Sequence, residues 1–429
     1  MNQPDSLVIR HGRVIDPARG IDQIADLTIA GGKIASIGRA DDGTGRTLDA
    51  RGAIVCPGLI DMHVHLREPG NEDAETIASG AAAAVAGGFT SIACMPNTEP
   101  SVDNEAMIEF VYRQAARAAL CNVYPIGAIT RGRAGKELAE IGQMVRAGAV
   151  AFSDDGCGIA NSMVMYRAMQ YVNMFDRPII QHCEDPDLAG VGCMNAGITA
   201  TRLGLPGIPA IAEQIMIQRY HVAHVSTAGS VELIREARRR GIQVTCEVCP
   251  HHLLLTEEAV ETYDTHYKVN PPLRTRADVE ACLAGVADGT IDCLVTDHAP
   301  HGPEEKECDF QSAPFGLIGL EVSVPLFARA LIEPGHLDWP GLIEKMTSAP
   351  ARILCLDKGS LQVGADADIT IIDPEMRWIV DEKKYRSRSR NCPYGGWTLT
   401  GRATHTIVGG SIKYVLYADK AFPTPERIV

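Results

Sequence analysis

The sequence predicts an α/β chain: a closed (β/α)8 TIM barrel carrying a small β-sandwich domain built from both chain ends. Three observations predict it. Between about residues 58 and 331 one theme recurs eight times: a short β-branched run, a Gly or polar turn, then a stretch of helical period. No glycine-rich phosphate turn follows the first strand, as an open doubly wound sheet would require. Both ends have a different texture, with short alternating strands broken by Gly and too few apolar residues for a core each.

Taken in order, the first end offers strands at 6–16, 25–38 and 47–56. Barrel strands are expected at 58–66, 89–95, 121–127, 149–154, 178–182, 220–225, 242–248 and 292–297. Helical stretches fall between them, at 104–120, 136–147, 162–175, 230–240 and 276–287, and an apolar helix follows the last strand at about 317–331. Strands separated by helices must pair in parallel, and closure into a barrel accounts for their number. The second end repeats the pattern of the first at 361–374 and 398–417. The expected division is therefore 1–57 and 357–429 as two halves of one β domain, with the barrel, 58–356, inserted between them.

Composition narrows the function classes. Of 429 residues, 45% are hydrophobic and 22% charged, and the net charge is −14. A surface that negative does not coat nucleic acid, so an anionic substrate needs a locally cationic pocket. No apolar run reaches membrane-spanning length, and the opening MNQPDSLVIRHG lacks the apolar run of a signal peptide. Thirteen cysteines without a spacing pattern read as reduced thiols, which points to the cytoplasm.

The chemistry gathers at one rim. In Asp61-Met62-His63-Val64-His65, strand alternation aims His63 and His65 the same way, where two imidazoles can chelate a cation. A satisfied core pair is the bland alternative, but the C-terminal ends of barrel strands are where such folds keep their chemistry. Four more strand ends carry ligand types: Asp154-Asp155 on the fourth, His182 on the fifth, His221 and His224 on the sixth, Asp297-His298 and His301 on the eighth. Nitrogen and carboxylate donors suit Zn²⁺ best, with Mn²⁺, Co²⁺ and Fe²⁺ as alternatives. There are enough of them for two ions sharing an anionic bridge. Arg67 lies two residues past His65 on the same face, where a guanidinium can hold a carboxylate or merely form a rim salt bridge. Cys246-Glu247-Val248-Cys249 reads as packing rather than as a zinc or redox site, because alternation aims its thiols apart and no second pair exists. Arg238-Arg239-Arg240 is a solvated helix end, and the absence of a GxSxG elbow removes serine hydrolysis.

Together GLIDMHVHLREPG, ACMPNT, AFSDDG, HVAHVST, KVNPPLR, VTDHAPH, SAPFGLIGLE and SRNCPYGGW resemble the amidohydrolase superfamily and, within it, the class I dihydroorotases, over nearly the whole chain. Many members bridge their metals with a carbamylated lysine. Here no lysine occurs between Lys136 and Lys268, so a carboxylate at the fourth strand end must take that place. The resemblance favours Asp155 over Asp154 and His224 over His221, which physics alone leaves open. It implies metal ligands His63, His65, Asp155, His182, His224 and Asp297, holding one or two Zn²⁺ ions. It implies Asp297 as the proton shuttle when a metal-activated water opens the ring amide of dihydroorotate to N-carbamoyl-L-aspartate, with ring closure as the physiological direction. Substrate contacts implied are Arg67 and Asn97 on the carboxylate, Asn270 and His301 on the ring, and the backbone of Pro314, Phe315 and Gly316. Either Asn could equally be a turn residue beside Pro. Arg67 and the missing lysine argue against a dihydropyrimidinase, hydantoinase or allantoinase. The complete ligand set argues against a dead scaffold subunit of aspartate transcarbamoylase, and a metal assay would exclude a metal-free binding barrel. The partners expected are a small-molecule substrate, neither nucleic acid nor membrane; a homodimer and an association with aspartate transcarbamoylase stay open. Residues 302–312, rich in Glu and Lys, read equally as a mobile lid or a surface loop.

Overall fold

The computed structural model describes residues 6–40, 45–214 and 221–416. Eight parallel strands form the barrel: β1 (Leu59–Val64), β2 (Phe89–Cys94), β3 (Asn122–Gly127), β4 (Ala151–Phe152), β5 (Ile180–Gln181), β6 (His221–Val222), β7 (Thr245–Val248) and β8 (Cys293–Leu294). They pair in that order as two four-stranded sheets. Parallel bridges Phe152–Ile179 and Val64–His298 join the sheets and close the ring. Each lies within an expected strand; residue 220 of the sixth expectation and residue 417 of the last lie outside the described residues. Several strands are much shorter than expected. The chain leaves the ladder just before the mouth, with left-handed backbone at His224 (φ 32°) and Asp297 (φ 49°) after β6 and β8.

Side-chain alternation makes two cores. Met62, Ala93, Ile126, Ile180, Ala223 and Cys293 fill the barrel interior. Ile92, Val123, Phe152 and Val222 face outward and pack with helix residues such as Ile108, Ile141 and Ile234. The helices Glu105–Ala118, Ile141–Ala147, Ser162–Asn173, Ala228–Arg239 and Arg276–Ala287 follow their strands. Asn104, Asn161, Thr227 and Thr275 cap four of them by accepting from first-turn backbone N–H groups. The helix after β1, Ile77–Gly87, is nearly all Ala, Gly and Ile and is buried over most of its length, so no polar face marks its period in the sequence.

Two connections differ from expectation. The apolar stretch after β8 is broken into Leu320–Val322, Ser323–Phe327 and Ala328–Ile332, with Pro325 inside the middle piece. Between β5 and β6 no long helix occurs among the described residues. Short helices flank a parallel pair, Met194–Asn195 with Gly207–Ile208. Buried Arg274 ties this excursion down, donating to Asn195 Oδ1 and Ile208 O at 3.0 Å each.

The two chain ends meet in one eight-stranded sheet. Ile54–Pro57 lies between Leu7–Asp16, to which it is parallel, and Ile369–Ile379, to which it is antiparallel. Leu27, Ile29 and Ile34 share a core with Leu361, Ile369 and Ile407, which neither end could build alone. Most of the thirteen cysteines are buried.

Candidate active site

A register shift between Asp61 and Val64 interrupts the simple alternation expected of β1. Asp61 explains how it is held: its carboxylate accepts from His63 N at 3.0 Å and from Thr296 N and Oγ1 at 3.1 and 2.6 Å, tying β1 to the end of β8. His63 and His65 still reach one mouth. His63 Nε2 lies 3.5 Å from Asp155 Oδ1 and 3.6 Å from Asp297 Oδ1. His65 Nε2 lies 3.1 Å from Asp297 Oδ1 and 3.6 Å from Asp155 Oδ2. His182 Nδ1 and His224 Nε2 each sit 3.8 Å from Asp155 Oδ1 and 2.9 Å from one another. Six side chains from five strand ends thus surround one small buried space.

The alternatives left open by the sequence face elsewhere. Asp154 accepts from Ile129 N, Thr130 N and Thr130 Oγ1, which uses its carboxylate to brace the loop after β3. His221 bonds Thr245 Oγ1 at 2.9 Å and Glu247 Oε2 at 3.0 Å, behind the site.

The donor set fits cations. His63, Asp155 and His224 form one group, and His63, His65 and Asp297 another, with the donor atoms of each group within 4.8 Å of one another. His63 Nε2 and Asp155 Oδ1 are buried without a hydrogen-bond partner, a costly arrangement unless positive charge lies between them. Burial alone would push the Asp155 carboxyl up, but His63, His224 and His65 hold it well below the usual carboxylate range. Asp297 is depressed against burial in the same way by His63 and His65. His63 is raised well above an ordinary imidazole, because Glu247 and Asp155 outweigh burial. A bound cation would take the place of that proton.

Glu247, on β7, was not singled out by the sequence. Its buried carboxylate meets His63 Nδ1 at 2.5 Å, which fixes the ring and leaves Nε2 for the site. Against burial, His63 and His221 hold Glu247 down at about 2. In the sequence Gln243, Thr245 and Glu247 alternate with apolar residues, so Glu247 looks like one more polar position of an ordinary strand. Arg133 was missed too; its Nη1 donates to the carbonyl of Asp155 at 2.6 Å.

The expected substrate contacts line the same mouth. Half-buried Arg67, at φ 58°, donates from Nε to Pro300 O at 3.0 Å, and its Nη2 lies 3.3 Å from His301 Nε2. Arg67, His224 and Asp297 all hold left-handed backbone, at a cost of about 1–3 kcal/mol each. His301 Nε2 also meets Phe315 O at 2.8 Å; burial and Arg67 push its pKa down to about 3, so the ring is neutral. Asn270 Nδ2 reaches Glu184 Oε1 at 3.2 Å and His182 Nε2 at 3.3 Å. Asn97 Oδ1 lies 2.8 Å from His65 Nδ1, so it also contacts a candidate ligand. The stretch 302–312 has a buried anchor. It contains the helix Pro303–Lys306, and buried Lys306 donates to Pro314 O at 2.7 Å and Thr265 O at 3.1 Å. Among the described residues no helix is long and apolar enough to cross a membrane.

Known proteins resemble this chain in sequence and in fold. A family model described as dihydro-orotase-like matches residues 52–236. A dihydroorotase of Geobacter sp. (strain M21) is 49% identical, over 95% of this chain and 99% of its own length. One of Pelotomaculum thermopropionicum is 53% identical, over 95% and 98%. Among solved structures, the L-hydantoinase (dihydropyrimidinase) of Arthrobacter aurescens superposes with a TM-score of 0.85 at 27% identity, covering 95% of this chain and 96% of that one. A dihydropyrimidinase of Brevibacillus agri NCHU1002, at 22% identity, shares the fold with a TM-score of 0.83 over 96% of both chains. Identity near one half, sustained over almost the full length of both partners, places this chain in the dihydroorotase family.

Proposed function

We infer that the chain is a metal-dependent dihydroorotase, interconverting (S)-dihydroorotate and N-carbamoyl-L-aspartate in de novo pyrimidine synthesis. One observation carries this reading beyond family membership: a guanidinium, Arg67, stands beside a buried cluster of imidazoles and carboxylates. A hydantoin or dihydropyrimidine need not carry the ring carboxylate that Arg67 suits.

We propose that His63, His65, Asp155, His182, His224 and Asp297 would hold the metal, one or two Zn²⁺ ions. When bound, the ions supply Lewis acidity and a water whose pKa falls to about 7. The remaining work belongs to the chain. Asp297, ionised by its imidazole neighbours, is suited to take a proton as water adds to the ring carbonyl. The same carboxyl returns it to the ring nitrogen as the C–N bond breaks. Arg67 pairs with the ring carboxylate, while Asn270, neutral His301 and the backbone of Pro314, Phe315 and Gly316 orient the ring. Asn97 joins Arg67 on the ring carboxylate, while its Oδ1 meets His65.

Asp297→Asn is expected to lower kcat by about 10²–10⁴-fold while bound metal persists. An active variant would remove the shuttle role. Ring opening of dihydroorotate, measured beside hydantoin and dihydrouracil with metal content determined on the same sample, tests the whole reading. Preference for an uncharged ring would overturn it.

A further inference from the structure

The SRNCPYGGW motif lies in the second chain end, outside the barrel, yet one of its side chains reaches the mouth. Asn391 is 2% exposed. Its Oδ1 accepts from His301 N at 3.2 Å, and its Nδ2 donates to Ala299 O at 2.9 Å and Gly316 O at 3.1 Å. Its own carbonyl accepts from Ile318 N at 3.0 Å. One amide thus joins the two feet of the loop that leaves β8 at Ala299 and returns at Gly316.

Those feet are the pocket wall. His301 touches both Arg67 and Phe315 O, and Gly316, at φ 133°, sits so close that a Cβ there would lie 2.7 Å from Ala299 Cβ. The gap between the Arg67–His301 side and the 314–316 backbone therefore depends on what clamps the feet together. Gly316 N donates to Lys268 O at 2.9 Å, which fixes one foot to the loop after β7. His301 Nε2 crosses to Phe315 O from within the loop, and Asn391 spans both feet from outside it. Without Asn391, two buried carbonyls lose their donor, and the wall relaxes by opening to water.

We propose that Asn391 is a positioning residue for substrate recognition, setting the width of the carboxylate and ring-edge pocket from outside the barrel. It touches none of the six candidate metal ligands through any described contact. Its influence falls on binding, not on the chemical step. The proposal rests on the dihydroorotase reading.

Asn391→Ala, and the milder Asn391→Ser should the first not yield folded protein, are compared with the wild type. The readouts are kcat and KM for dihydroorotate, calorimetric affinity for orotate, and metal content. KM should rise and orotate affinity fall together by about 10- to 100-fold, with kcat and metal content near wild type. Unchanged KM and orotate affinity, or a loss confined to kcat or metal, would overturn the assignment. If the wild type itself failed to open dihydroorotate, the functional reading would fall and this role with it. If the wild type is active and the variants bind normally, only the role of Asn391 falls.

Discussion

At the scale of single residues, His63 Nδ1 meets Glu247 while its Nε2 faces Asp155 and Asp297. Glu247→Gln keeps the shape but removes the charge that fixes the ring. Metal affinity or kcat/KM should then fall by about 10- to 100-fold, read by metal titration and steady-state assay. A variant with wild-type metal affinity and rate would show that the ring is held by its other neighbours. That His and Asp gather at strand ends was legible as a pattern of residue type. The choice of Asp155 over Asp154 and His224 over His221 came from the family resemblance alone. What those residues lean on was not legible. Nothing in the order of residues shows that Asp154 turns to Thr130, that Asn97 meets His65, or that Glu247 lies behind His63. Each partner comes from a different strand or loop, so only the closed ring brings them together.

At the scale of elements, the barrel strands were legible as positions but not as lengths. Periodicity located all eight, yet four carry only two ladder residues. After β6 and β8, left-handed backbone at His224 and Asp297 ends pairing in a way hydropathy does not record. The excursion between β5 and β6 was illegible for another reason. Its Gly- and Pro-rich run has no period, and Arg274 imposes its order from outside. The loop from His301 to Gly316 is held by Lys306, whose amine is buried against two carbonyls. Burial pushes this amine down to about 7 from an ordinary 10.5. Between those values the unfolded chain binds the proton and the folded chain does not, so this group's contribution to stability rises with pH across that window. Lys306→Met should therefore flatten the dependence of Tm on pH between about 7 and 10.5 relative to wild type. Parallel Tm profiles for the two proteins would contradict it.

At the scale of the whole molecule, the shared sheet makes the chain ends interdependent. A chain cut after residue 356 loses Ile369, Ile371 and Ile407 from the core that holds Leu27 and Ile29. It also leaves Ile54–Pro57 with an open edge. Such a chain should be found in the insoluble fraction on expression, whereas the full chain should stay in solution. That the ends would meet was legible from their poverty in apolar residues; the pairing order was not, because alternating strands fit many neighbours equally well. The order has a consequence in time. Cys56 meets Thr370 across 314 positions, an interval that takes roughly 15–60 s to synthesise at 5–20 residues per second. Throughout it the first strands wait on the ribosome with apolar faces uncovered, and a nascent chain released early lacks the partner they need.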